Sequence, residues 1–264
     1  MRQLPTLREW LAEAPFTLAL SSGFFGFFAH AGLVCALEEA GLFPLGASGS
    51  SAGALIASLW ASGRSAMEIR SILFTLKRED FWDPAPGLGL LRGAKFRRLL
   101  GQHMQAHSFE SLRFRLAVSA CDILAWRTRV FASGPLIEAV HASCAFPILF
   151  QPVFIGGRPY ADGGILDRPG IAGLAHLGHN TRVLIHHLGT RSPWRRPQSP
   201  TLRPPTLPGA VTVVVRGLPR VGPHRLAVGP DAFVRTYEAV RRVLTMQVET
   251  QGNGTVMEVP ALAP

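Results

Sequence analysis

Residues 44–62 read Pro44-Leu-Gly-Ala-Ser-Gly-Ser-Ser-Ala-Gly-Ala-Leu-Ile-Ala-Ser-Leu-Trp-Ala-Ser62, and the reading of this stretch decides the fold. An extended piece, Pro44–Ser48, runs into Gly49-Ser50-Ser51-Ala52-Gly53, and the helical stretch Ala54–Ser62 follows, closed by Gly63. The pentapeptide fits Gly-x-Ser-x-Gly, the strand-to-helix turn that presents a serine hydroxyl. Gly49 and Gly53 are needed because such a turn is strained and crowded. Its product is Ser51 at the positive end of a helix, where a developing alkoxide is stabilised. Five residues of this kind also arise by chance in a chain rich in Gly, Ala and Ser, so the flanking strand and helix carry the weight.

A serine of this kind needs a base. Pro152–Ile155 and Arg158–Ala161 bracket Gly156-Gly157, a hairpin signal, and lead into Tyr160-Ala-Asp-Gly-Gly164. Asp162 at that strand end, partly desolvated, is placed to take the serine proton directly. An Asp-Gly-Gly sequence is also a common turn. The rival base is a histidine of His186-His187, at the end of the predicted strand Thr181–Leu188, which would make a Ser-His-Asp triad.

The rest of the chain extends the same alternation. After a polar opening segment, Phe16–Leu20 reads as a buried strand, and the helix Ala29–Ala40 carries Leu33, Val34 and Leu37 on one face. Ser65 and Glu68 form a capping box for a helix over 66–77. Asp80–Gly89 reads as loop, Leu90–His107 as helix with Phe96, Leu99 and Leu100 inward, and Pro135–Ser143 as helix. Phe114–Ala120, Thr128–Phe131 and Val211–Val215 read as strands and Asp231–Thr245 as a helix. The tail after Thr250 is weakly patterned. The organisation expected is an N-terminal segment (1–15), a catalytic core (16–190), a Pro/Arg-rich surface loop (191–208) and a strand and helix (209–264) that complete the domain.

Charge and composition narrow the partners. The 264 residues carry a formal net charge of +10, with Lys77 and Lys95 the only lysines. Arginines such as Arg195, Arg196 and Arg203 read either as a solvated proline-arginine loop or as a surface that meets anionic membrane headgroups peripherally. No nucleic-acid signature accompanies them. From Ala14 to Leu37 there is no charged side chain, yet Ser21, Ser22, Gly23 and Gly26 interrupt the run. A strand, loop and helix account for it better than a membrane span. The three cysteines, Cys35, Cys121 and Cys144, lack metal or redox spacing and point to a reducing, cytoplasmic setting. His103 and His107, four apart on the predicted helix, have no third ligand and read as an exposed face, so neither metal nor organic cofactor is expected.

Taken together, these residues resemble the patatin-like phospholipase family. Leu18–Gly32 with Ala36–Gly41 is similar to its opening strand, glycine-rich loop and first helix, and Gly46–Gly53 to its serine elbow. Ser119-Ala-Cys-Asp122, Ser133-Gly-Pro-Leu136 and Ala142-Ser-Cys-Ala-Phe-Pro147 resemble its central blocks. Gln151–Gly164, ending in Asp162-Gly163-Gly164, resembles its aspartate segment. The resemblance implies a three-layer α/β/α fold with a central, mostly parallel sheet. It also implies lipid acyl-ester hydrolysis through a Ser51–Asp162 dyad without histidine, by way of an acyl-serine.

The oxyanion loop departs from the family pattern Gly-Gly-Gly-x-Arg/Lys-Gly. Anchoring on His30-Ala-Gly32 sets Ser22, Gly23, Phe24, Phe25, Gly26 and Phe27 on those positions, with Gly26 in place of the basic residue. The amides of Gly23, Phe24 and Phe25 are the expected oxyanion donors. A catalytically weakened lipid-binding or regulatory protein is the alternative this loop raises. Phe24, Phe25, Phe27 and Phe28 read as core, or else as the lining of an acyl pocket, with Phe27 and Phe28 the candidates for substrate contact.

Overall fold

The computed structural model describes residues 4–178, 182–189, 202–249 and 252–261. Its strands are β1 (Thr17–Leu20), β2 (Gly46–Ser50), β3 (Gly89–Leu91), β4 (Arg115–Asp122), β5 (Arg127–Phe131) and β6 (Ile148–Phe150). After these come β7 (Val153–Ile155), β8 (Arg158–Ala161), β9 (Val183–His186), β10 (Ala210–Arg216) and β11 (Thr255–Pro260). The helices are α1 (Leu7–Glu13), α2 (Phe27–Glu39), α3 (Ala52–Ala61), α4 (Ala66–Thr75), α5 (Ala94–His103), α6 (Leu136–Ser143) and α7 (Gly229–Leu244).

Every residue of β1, β2 and β9 is buried. Strands apolar on both faces belong in a parallel sheet covered by helices on either side, and the chain forms one. The order β11-β10-β9-β1-β2-β4 is parallel throughout. Beyond it β5, β8 and β7 pair antiparallel, while β3 and β6 form a separate parallel pair. The result is the expected α/β/α layering with a mostly parallel sheet. The uncharged run 14–37 becomes β1, a turn and α2, and Phe28 to Leu37 are all buried. A helix apolar all round belongs in a core. Its neighbour α7 shows the complementary one-sided stripe, Ala232, Phe233, Thr236, Ala239, Val240 and Val243. Among the described residues no helix is long and apolar enough to cross a membrane.

Several expectations change. The opening segment is not merely polar, because Thr6 and Glu9 form a capping box that starts α1, and Leu7, Trp10 and Leu11 are buried. The tail after Thr250 holds β11, with Met257 and Val259 facing inward at the sheet edge. Leu90–His107 is not one helix, since Gly89–Leu91 pairs with β6 and α5 begins only after Gly93, at φ 82°. That helix ends at His103, so His107 does not share its face. Of the Pro/Arg-rich loop, residues 191–201, including Arg195 and Arg196, lie outside the described residues, and Arg203 is exposed. The capping box at Ser65 and Glu68 and the hairpin about Gly156 and Gly157, both at positive φ, form as expected.

Strand β4 positions the site. Its residues 118–122 pair with β5 on one edge, so β2, which pairs with 115–119, and β8, which pairs with 121–122, must share the other. They approach from opposite directions, β2 ending at Ser50 beside Ser119 and β8 at Ala161 beside Cys121. Only the position opposite Ala120 lies between them. Ser51 and Asp162, the next residues of the two strands, are therefore driven together by backbone register.

Candidate active site

Ser51 leaves β2 with φ 52° and ψ −119°, a sparsely populated conformation for a residue with a side chain, and α3 begins at the next residue. Both glycines of the motif face obstruction. A Cβ on Gly49 would stand 2.7 Å from the Ala54 nitrogen, and one on Gly53 would collide with the carbonyl oxygen of Leu20. The elbow is clamped from outside as well. Ser51 N–H donates to Ser143 Oγ at 2.8 Å, and the Cys144 thiol donates to the Ser51 carbonyl at 3.3 Å. Both residues belong to the C-terminal end of α6. They stood in the quoted central block, but nothing in their spacing revealed the clamp.

Ser51 Oγ–H donates to Asp162 Oδ2 at 2.5 Å, within the range of a charge-assisted hydrogen bond. Gly164 N–H donates to the other carboxylate oxygen at 2.8 Å, and Asp162 N–H is tied to Ala145 O. Gly163 sits against β4, where a Cβ would collide with the Ser119 carbonyl, and Gly164 sits against Ser22 of the oxyanion loop. Burial is the main influence on Asp162, which is 3% exposed. It pushes the carboxyl up to about 6, against the lowering effect of the Ser51 and Gly164 hydrogen bonds and the nearby Arg168 guanidinium. Arg168, buried beside the site, was not anticipated from the sequence.

The expected oxyanion loop runs Ser22 to Gly26 between β1 and α2. Its only residue at positive φ is Phe25, at 53°, which occupies the family's unrestricted position. The lost glycines at Ser22, Phe24 and Phe27 therefore impose no left-handed strain. Among the described residues no backbone hydrogen bond is donated by Gly23, Phe24 or Phe25. Leu188 fills the room a side chain at position 26 would need, since a Cβ on Gly26 would collide with its Cδ1. The loop is held from behind: Ser22 N–H donates to Arg168 O, Leu188 N–H to Ser21 Oγ, and His30 Nε2 lies 2.8 Å from Ser21 O.

His186 and His187 stand away from this chemistry. His186 is fully buried with its Nδ1 2.9 Å from His30 Nδ1, and His187 Nε2 lies 3.4 Å from Leu202 O. Neither lines the cavity above Ser51. Burial is the leading cause that lowers His30 and His187 to about 4 and holds His186 well below the usual imidazole value. They are neutral packing groups behind the loop, and the triad reading is set aside.

Ser51, Asp162 and the loop open onto a cavity of about 1810 Å³, well above the roughly 300–1,000 Å³ of ordinary small-ligand sites. Leu55, Leu73, Leu76, Phe81 and Leu99 give it an apolar wall, and Phe24, Phe25 and Phe27 border it. Phe28 does not, being 1% exposed, with its ring packed against Gly229 at the start of α7. That placement removes it from the substrate-contact candidates. Among the described residues no cluster of His, Cys, Asp or Glu could hold a metal ion.

Comparison with known proteins fits this geometry. The chain is 31% identical over 194 residues to an uncharacterized NTE family protein of Mycobacterium tuberculosis, which covers 70% of this chain and 52% of that protein. A lysophospholipase of Emericella nidulans is 27% identical over 157 residues, 57% of this chain and 10% of that one. The chain thus spans about half the length of the mycobacterial relative. In fold it is similar to VipD of Legionella pneumophila, with a TM-score of 0.61 at 15% identity, over 88% of this chain and 67% of that one. The family profile described as patatin-like phospholipase matches residues 18–175, and the chain belongs to that family.

Proposed function

We propose that this chain is a lipid acyl hydrolase that works through Ser51 and Asp162. The observation that carries the reading is the 2.5 Å contact of Ser51 Oγ with a buried carboxylate, at the edge of a large apolar cavity. With its carboxyl raised to about 6, Asp162 is ionised at neutral pH yet basic enough to accept a proton. As Ser51 Oγ attacks the acyl carbonyl, its proton passes to Asp162 Oδ2. The tetrahedral oxyanion is met by amides of Gly23, Phe24 and Phe25, and the N-termini of α2 and α3 add positive potential. Collapse releases the alcohol, which takes the proton from Asp162 and leaves acyl-Ser51. Water, deprotonated by Asp162, then attacks the acyl group, and collapse of that intermediate returns the proton to Ser51 with release of the carboxylic acid.

Phe24, Phe25 and Phe27 with the apolar wall take the acyl chain, and no metal or cofactor enters a step. The amides of Gly23, Phe24 and Phe25, none of which donates a backbone hydrogen bond among the described residues, favour this reading over a purely binding role. The NTE-type and lysophospholipase relatives make a phospholipid or lysophospholipid the first substrate to try, with the basic chain meeting anionic membrane peripherally. Replacing Ser51 by Ala in folded protein is expected to abolish ester hydrolysis, and full activity in that variant would overturn the assignment.

A further inference from the structure

The mouth of the cavity carries an apolar rim that the chemistry at Ser51 does not use. Leu88 is 84% exposed, Trp126 66% and Ile148 61%, and all three border the cavity. They come from three separate segments: the loop before β3, the turn between β4 and β5, and the first residue of β6. Pairing of Gly89 with Ile148 brings the segment that follows Leu88 alongside β6. Phe146, two residues before Ile148, packs on the oxyanion-loop Phe24 with ring centres 5.2 Å apart. Leu124 lies exposed in the same turn as Trp126.

Two of these side chains are held out at a conformational cost. Trp126 has φ 48° and Ile148 φ 70°, and a β-branched residue in that region is an outlier. Strain of this kind persists where the surrounding structure imposes it, commonly at functional surfaces. The charges fit one kind of partner. Exposed Arg216 and Arg220 and buried Arg168 border the cavity, and Asp162 is the only carboxylate among the described residues that line it. Arg216 is paired with Glu258, whereas Arg220 is exposed.

We propose that Leu88, Trp126 and Ile148 form a docking surface for an anionic phospholipid bilayer, placing the mouth of the cavity against the acyl chains. The purpose of this surface rests on the lipid-hydrolase reading, but its test does not. An exposed apolar patch on a cavity mouth that also carries cations partitions into such an interface through buried apolar area plus attraction to anionic headgroups, and tryptophan is suited to that depth.

The test is sedimentation of the Ser51→Ala protein with vesicles of phosphatidylcholine alone or mixed with phosphatidylglycerol. The protein is expected to partition onto the mixed vesicles and more weakly onto phosphatidylcholine. Leu88→Ser, Trp126→Ser and Ile148→Asn are each expected to weaken partitioning about tenfold. With Ser51 intact, turnover of a short soluble ester should persist in these variants. Ile148→Asn separates docking from packing, because Asn tolerates positive φ: the melting temperature should rise while vesicle affinity falls.

Equal partitioning of parent and variants, or no partitioning of the parent, would overturn the proposal. So would a homodimer that the variants dissolve while vesicle binding is untouched. If the Ser51 protein hydrolyses no ester while the vesicle results hold, the hydrolase reading fails and the docking surface stands.

Discussion

Ser143 Oγ accepts the backbone N–H of Ser51 at 2.8 Å, so the strained elbow is held by a helix it does not belong to. Ser143 is fully buried, and that N–H has no other partner among the described residues. Ser143→Ala is expected to cost about 1–3 kcal/mol by leaving the amide unsatisfied. By loosening the nucleophile it should also lower kcat about 10–100-fold. Thermal denaturation together with steady-state kinetics checks both, and a stable variant with normal kcat would show that the clamp is idle.

Asp162 ties activity to pH and opposes it to stability. A base that titrates at about 6 should make kcat/KM fall as pH drops through about 6. Its carboxyl is raised above its unfolded value, so the native state binds the extra proton between pH 4 and 6. This group's contribution to stability is thus present at low pH and lost as pH rises through about 6. Asp162→Asn removes the buried charge. At pH 7.5 it should stabilise the fold by about 2–3 kcal/mol while abolishing turnover. A lower melting temperature in that variant would contradict the electrostatic account.

The buried histidines act with the opposite sign. His30, His141 of α6 and His187 are lowered to about 4 and His186 is held well below its usual value, burial being the leading cause for each. Their stabilising contribution is complete above the unfolded value near 6.5 and is lost as pH falls towards 4. At pH 5 this amounts to roughly 2 kcal/mol for each histidine near 4, against a gain of about 1 kcal/mol from Asp162. Melting temperature should therefore drop between pH 7.5 and 5. An unchanged or higher value at pH 5 would mean that these rings are hydrated or paired.

Leu188 stands where the expected oxyanion loop lacks its basic residue. Because it fills the space beside Gly26, Gly26→Arg alone is expected to lower esterase activity and stability. Pairing it with Leu188→Ala should recover part of both. A gain in activity from Gly26→Arg alone would mean that the loop had been impaired by its loss.

Much of this arrangement could be read in the sequence, and the rest depended on contacts between distant segments. The elbow at Gly49–Gly53 and the hairpin about Gly156-Gly157 are local, because crowding and positive φ dictate residue type within a few positions. The buried strands show as apolar runs. Strand β11 did not, since an edge strand alternates buried Met257 and Val259 with exposed residues and offers little contrast. Leu90 and Leu91 continue the apolar pattern of α5, and only pairing with β6 separates them from it. The Ser143 clamp, Leu188 and Arg168 reach the site from 92, 162 and 117 positions along the chain after Ser51, Gly26 and Ser51 respectively. Such tertiary contacts leave no periodic signal. Phe28 shows the limit most plainly, since it follows Phe27 in sequence yet faces α7 instead of the cavity.

The central claim is that Ser51 is activated by Asp162, and covalent labelling with a fluorophosphonate, read by intact-mass and peptide mass spectrometry, tests it most directly. Labelling is predicted on the peptide bearing Ser51, absent in Ser51→Ala, slowed at least about 100-fold in Asp162→Asn, and persistent in a folded His186→Gln variant. Labelling that survives Ser51→Ala, or that proceeds at the parent rate in Asp162→Asn, would contradict the dyad.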